Sequence, residues 1–168
     1  MTEQSGQPAI PRVLFVCLGN ICRSPMAEGA LRHLAAERGV ALEIDSAGTG
    51  NWHRGHPPDR RAQATAEAYG VDICGLRARQ VKAGDFHAFD YVVAMDGDNY
   101  RNLQRLRPRD GTAQLLLMLD HLAGREGEGV TDPYYGGDDG FHTVWHDIMG
   151  AAGGLLDRIL RDQRGASG

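Results

Sequence analysis

Cys17 and Arg23, separated by Leu18-Gly19-Asn20-Ile21-Cys22, form a pair with the means to act on an oxyanion. Five intervening residues are enough to curl the backbone around a tetrahedral anion with its N–H groups pointing inward. Gly19 and Asn20 are the residue types that tolerate the left-handed conformations such a nest requires. A thiol beside a guanidinium at a helix N-terminus is expected to be held as thiolate, so Cys17 can attack phosphorus in line. Arg23 offers a two-pronged fork to two oxygens of the anion. Ser24 is placed to donate a hydrogen bond to the sulfur, which makes it a better leaving group when a phosphocysteine is hydrolysed. The loop and Arg23 carry the positive charge themselves, so this chemistry calls for no metal and no other cofactor.

Ester cleavage also needs a proton on the departing oxygen. Asp132-Pro133-Tyr134-Tyr135 lies in a Gly-rich stretch from Gly124 to Gly140. Pro133 holds its predecessor extended, which projects the Asp132 carboxyl, and the two tyrosines can wall a pocket for an aromatic ring. Asp-Pro is also an ordinary turn initiator, and only its pairing with the Cys17 loop favours a catalytic reading.

The elements around these residues must place them. Val13 to Val16 form an unbroken apolar run, read as a buried parallel strand ahead of Cys17. Ser24-Pro25 reads as a hydroxyl N-cap followed by proline at the first helical position, and Gly39 ends that helix. Further strands are expected at 41–44, 89–95 and 114–119, with Ser46 to Gly50 terminating the second. Helices are expected at 59–69 and 98–106. Val144, Ile148, Leu155 and Ile159 mark a last helix, weakened by Gly153-Gly154. Alternation of strand and helix implies an α/β fold: a doubly wound, four-stranded parallel sheet flanked by helices. Residues 12–164 are read as a single domain, with flexible tails at 1–11 and 165–168.

A net charge of −4 sets up no basic field, so neither nucleic acid nor an anionic membrane is an expected partner. The N-terminal stretch lacks the apolar run of a signal peptide. Three cysteines, Cys17, Cys22 and Cys74, are an odd number, which argues against a secreted disulfide framework and for a reducing cytoplasm. Four weaker signals are set aside. Gly48-Thr49-Gly50 lacks the third glycine of a dinucleotide loop, and Asp138-Asp139-Gly140 lacks the carboxylate series of a calcium loop. His142 and His146, four apart, have no third ligand in view, and the arginines at 101, 105, 107 and 109 read as a solvated face.

Val-Cys-Leu-Gly-Asn-Ile-Cys-Arg-Ser-Pro-Met-Ala-Glu at 16–28 and Asp-Pro-Tyr-Tyr at 132–135 resemble the low-molecular-weight protein tyrosine phosphatases. Asp-Ser-Ala-Gly-Thr at 45–49, Arg-Ala-Arg-Gln at 77–80 and Ala-Met-Asp at 94–96 extend the resemblance over nearly the whole chain from Arg12. It implies Cys17 as nucleophile, Arg23 as phosphate clamp and Asp132 as general acid, then base. Leu18, Gly19, Asn20, Ile21, Cys22 and Ser24 would hold substrate, between walls formed by Trp52, Tyr134 and Tyr135. Asn20, Ser24 and Ser46 correspond to a loop-supporting network. Ile21 is similar to the tyrosine-specific branch, since related protein-arginine phosphatases carry Thr there. Leu76 stands where several relatives carry a His that braces the loop. Cys22 matches a second cysteine that forms a reversible disulfide with the first in some members. The implied substrates are phosphotyrosine-containing proteins or small aryl phosphates, handled by a monomer or a weakly self-associating chain. Two other functions compete: an arsenate reductase on the same scaffold with Cys74 as relay, and a phosphoprotein-binding module without turnover. Nucleophile, clamp and acid together favour the phosphatase, because binding needs only clamp and nest.

Overall fold

In the computed structural model, which describes residues 9–134 and 136–167, the run Val13–Val16 is fully buried. It belongs to β1 (Arg12–Cys17), which is flanked on both sides. β2 (Glu43–Gly48) pairs with it in parallel along one edge and β3 (Tyr91–Ala94) along the other. β4 (Gln114–Leu117) pairs with β3, giving one parallel sheet of order β2-β1-β3-β4. Side chains alternate across it as strand geometry demands. Val13, Phe15 and Cys17 join a core that includes Trp145 and Ile148, while Leu14 and Val16 face Phe86 and Leu103.

The helices are α1 (Arg23–Glu37), α2 (Arg60–Ala68), the single turn α3 (Asp85–Ala88), α4 (Gly97–Leu106) and α5 (Asp138–Ser167). α1 and α5 pack together on one face of the sheet, with α2 against α5, and α3 and α4 cover the other. The strand order reverses between β1 and β3, so their carboxyl ends frame the crevice in which α/β sheets bind ligands. Among the described residues, no helix is long and apolar enough to cross a membrane.

Several boundaries differ from the sequence expectation, three of them for a reason of packing. β2 begins at Glu43 and continues through Ser46-Ala47-Gly48, residues expected to end it. These poor strand formers are held by pairing, Phe15 with Ser46 and Cys17 with Gly48, because only small side chains fit beneath the Cys17 loop. A Cβ on Gly48 would lie 2.8 Å from the Leu18 carbonyl oxygen. α1 opens one residue before Ser24, with Cys22 at the cap and no side-chain cap bond, because the Ser24 hydroxyl is committed to the loop. β4 stops at Leu117, and Met118–His121 form a 3-10 turn. Gly39 and Gly70 do end α1 and α2, at φ of 67° and 82°.

α5 runs uninterrupted through Gly153-Gly154 and on to Ser167. The two glycines differ in their surroundings. A Cβ at Gly154 would meet the His121 carbonyl oxygen at 1.9 Å, whereas one at Gly153 would meet nothing within 4 Å. Gly154→Ala is therefore expected to destabilise by about 1–3 kcal/mol through overpacking against backbone. Gly153→Ala should stabilise by up to about 1 kcal/mol through helix propensity. Opposite shifts in Tm by calorimetry would show it; shifts of the same sign would refute the distinction. On the outer side of α5, the Tyr69 hydroxyl lies 3.3 Å from His142 Nδ1 and 3.2 Å from His146 Nε2.

Candidate active site

Cys17 closes β1, and the chain then turns through Leu18–Cys22 into α1. Asn20 makes the turn possible. Its φ of 58° is, among the described residues, the one left-handed conformation held by a residue other than glycine. Its backbone N–H points at Cys17 Sγ at 3.2 Å. From the side, Thr49 N–H bonds the Cys17 carbonyl and Gly50 N–H that of Leu18, both at 2.9 Å. Those bonds draw loop carbonyls outward and leave amides for the interior, which is the requirement for an anion nest.

A connected set of polar side chains fixes this shape. Asn20 Nδ2 donates to Ser24 Oγ at 2.8 Å and to Ser46 Oγ at 3.0 Å, while its Oδ1 accepts from Arg79 N–H at 3.0 Å. Ser24 Oγ lies 3.0 Å from Cys17 Sγ and 3.4 Å from the Ala47 carbonyl, so its one proton is better spent on sulfur. Ser46 donates onward to buried Glu28 at 2.8 Å, and Glu28 pairs with Arg32. Burial pushes the Glu28 carboxyl above its ordinary range, against the opposing pull of Ser46 and Arg32. Leu76 packs against the core, and Asn20 is held by Ser24, Ser46 and the backbone of Arg79. The Arg79 guanidinium is itself clamped by Asp45 at 3.1 Å and by buried Asp85 at 3.1 and 3.2 Å.

Arg23 is only 3% exposed. Its Nη1 donates to Asp96 at 2.6 Å and to the Val130 carbonyl at 3.0 Å, and its Nη2 lies 3.6 Å from Asp132 Oδ2. Burial works against the charge, but Cys17, Asp96 and Asp132 outweigh it and hold the guanidinium above its ordinary range. Asp96 follows β3 and caps α4 by accepting from Asn99 N–H at 2.8 Å. Gly129 lets the loop carrying Val130 come close, since a Cβ there would lie 2.8 Å from Asp96 Cβ.

Cys17, Arg23 and Asp132 line one cavity of about 350 Å³, together with Leu18, Gly19, Ile21 and Cys22. Trp52, Tyr134 and His53 stand around it. The side chains of Asn20, Ser24 and Ser46 bond one another and do not line the cavity. Tyr135 lies outside the described residues. Asp132 Oδ1 accepts from Tyr134 N–H at 3.1 Å, which fixes the carboxyl as the small turn forms. Cys22 is buried, and burial, then Asp59 and Cys17, push its thiol well above the usual range. Of the two sulfurs it is Cys17 Sγ that faces the Asn20 N–H and the Ser24 hydroxyl. Cys74 is exposed and does not line the cavity.

Two residues here escaped sequence reading. Asp96 was visible as an acid between a strand and a helix, but its contact with Arg23 depends on β3 lying beside β1. His53 carries no local signal; it packs near Tyr134, with ring centroids 6.3 Å apart, over the space that Gly19 leaves open.

Comparison with known proteins agrees with this geometry. Residues 12–165 match the family described as low molecular weight phosphotyrosine protein phosphatase. A phosphatase of that description from Schizosaccharomyces pombe is 44% identical over 151 residues, covering 88% of this chain and 96% of that protein. The low molecular weight protein-tyrosine-phosphatase YfkJ of Bacillus subtilis is also 44% identical, over 90% of this chain and 97% of its own. A crystal structure of a protein tyrosine phosphatase from Entamoeba histolytica superposes with a TM-score of 0.86 at 35% identity, covering 91% and 99% of the two chains. With the fold, the loop and the sequence in agreement over nearly its whole length, this chain belongs to the low molecular weight phosphotyrosine protein phosphatase family.

Proposed function

We propose that this tyrosine phosphatase works through a phosphocysteine, with Cys17 as nucleophile, Arg23 as clamp and Asp132 as acid and then base. The observation that carries it is the convergence of these three side chains on one cavity. The dianionic phosphoryl group enters the nest of loop amides and takes the Arg23 fork. Cys17 Sγ forms a bond to phosphorus as the bond to the aryl oxygen breaks, and Asp132 gives that oxygen its proton. Water then attacks phosphorus, Asp132 takes its proton, and the S–P bond breaks to release inorganic phosphate. Ser24 and the Asn20 amide steady the sulfur as charge returns to it. Asp96 holds Arg23 in the orientation the equatorial oxygens need.

Phosphotyrosine in proteins is the proposed substrate, met in a reducing compartment where Cys17 and Cys22 remain thiols as they are here. Trp52 and Tyr134 offer flat walls to its ring, and buried Ile21 adds an apolar side chain to the lining. Asp132→Asn tests the proton step. With a phosphotyrosine peptide, kcat should fall by about 10²–10³. With para-nitrophenyl phosphate, whose leaving group departs more readily unprotonated, the fall should be several times smaller. Equal losses on the two substrates would remove Asp132 from the acid role.

A further inference from the structure

Asp132 stands outside helix and strand, in the chain leading to α5, yet a general acid has to meet the leaving oxygen at hydrogen-bond range. It accepts from Tyr134 N–H at 3.1 Å, and a residue of α2 holds Tyr134 in turn. Arg61, the second residue of that helix, donates from Nη2 to the Tyr134 carbonyl at 2.9 Å and from Nη1 to the Gly136 carbonyl at 3.2 Å. The guanidinium is itself fixed. Its Nε and Nη2 reach the two oxygens of Asp59 at 3.1 and 3.2 Å, and its Cζ lies 4.7 Å from the ring centroid of buried Phe141. Burial works against the charge on Asp59, but the side chain and backbone N–H of Arg61 outweigh it and hold the carboxyl below its ordinary range. Asp59 also reaches the other half of the site: its backbone N–H donates at 2.8 Å to the carbonyl of Ile21, within the Cys17–Arg23 loop.

We propose that Arg61 is a positioning residue for the proton step: joined to Asp59, it ties the chain carrying Asp132 to the loop that binds phosphate. The proposal rests on the phosphatase reading above and adds a residue to it. Arg61 does not line the active-site cavity, so it acts through Asp132 and not on the substrate. The path is continuous, since Ile21, Asp59, Arg61, Tyr134 and Asp132 are each joined to the next by a hydrogen bond. Distance is the reason such a tie matters. Misplacing a reacting group by about 1 Å can cost about 10²-fold in rate, and beyond Pro133 the Gly-rich chain supplies little stiffness of its own. One planar fork on two carbonyls fixes the direction of the turn as well as its place, which a single bond would not.

The test is a double-mutant cycle between Arg61→Met and Asp132→Asn, read in kcat on a phosphotyrosine peptide and on para-nitrophenyl phosphate. Arg61→Met keeps an apolar stem beside Phe141 and removes the fork. On the peptide its kcat should fall by about 10–30-fold, and on para-nitrophenyl phosphate by about threefold or less. Inorganic phosphate should inhibit it as it inhibits wild type, because phosphate meets the loop and Arg23. In the Asp132→Asn background the same substitution should cost less than about twofold, since no proton remains to be placed. Losses that simply multiply in the two backgrounds would overturn the proposal, as would equal losses on the two substrates. Arg61→Lys carries the same cycle if Arg61→Met does not fold. One ammonium can hold Asp59 or a carbonyl but not all three partners, so a loss of about fivefold on the peptide is expected, absent again in Asp132→Asn. Wild-type rates in Arg61→Lys would overturn the need for the fork. If Asp132→Asn by itself left peptide turnover unchanged, the assignment of the acid would fail instead, a result read without any Arg61 variant.

Discussion

Cys17→Ser is expected to lower kcat toward para-nitrophenyl phosphate by about 10⁴-fold or more, as loss of the attacking group does in other covalent enzymes. The substitution removes one polarisable atom and leaves the nest intact. Asn20 N–H and Ser24 Oγ, at 3.2 and 3.0 Å from the sulfur, can each bond a hydroxyl instead. Asn20 keeps its bonds to Ser46 and Arg79, so the loop has no reason to rearrange. Thermal melts should therefore match wild type within a degree or two, and phosphate should still bind. An alcohol is a poor nucleophile without a neighbouring base, and among the described residues no histidine bonds Cys17 to supply one. A variant retaining more than a few per cent of wild-type kcat would exclude Cys17 as the nucleophile.

Arg23→Lys should be nearly as damaging, lowering kcat/KM by about 10³-fold, or about 4 kcal/mol of transition-state stabilisation. The charge survives, but the geometry does not. Arg23 uses Nη1 for Asp96 and the Val130 carbonyl while Nη2 faces Asp132 across the cavity. A lysine ammonium is a point charge that can satisfy Asp96 or reach the phosphate, and it cannot hold two equatorial oxygens in a fork. Steady-state kinetics beside a melt separate the effects. The loss should appear in kcat as well as KM, with only a modest fall in Tm because Asp96 keeps a cation. A loss confined to KM would mean that Arg23 binds ground state and transition state alike.

These expectations draw on two kinds of information. The left-handed turn was legible only in part: Gly19 and Asn20 both tolerate a positive φ, and the folded loop places it at Asn20 and not at Gly19. The strand Val13–Val16 was legible too, since four apolar residues without alternation fit only a position buried on both faces. Ser24-Pro25 misled in detail: the pair announces a helix, but the hydroxyl that would cap it is taken by Cys17 and Asn20. Ser46 to Gly48 misled more, because strand propensity is weak evidence where pairing partners are strong. Gly154 could not be told from Gly153 by any local rule, and only the approach of the 3-10 turn separates them.

What the chain determines by itself is the part of the chemistry that is contiguous. Cys17, the nest and Arg23 are covalent neighbours, so their separation is bounded by six peptide units whatever the rest of the molecule does. The type of fold follows likewise from the period of the apolar residues. The remainder is contact between segments far apart in sequence, and the sheet decides it. Placing β3 beside β1 brings Asp96 to Arg23 across 73 positions, and folding the loop after β4 back brings Val130 and Asp132 to the same guanidinium. The hold on Asn20 by the backbone N–H of Arg79, 59 positions away, is decided in the same way. A backbone N–H looks alike at every residue, and only the folded chain shows which one is in place.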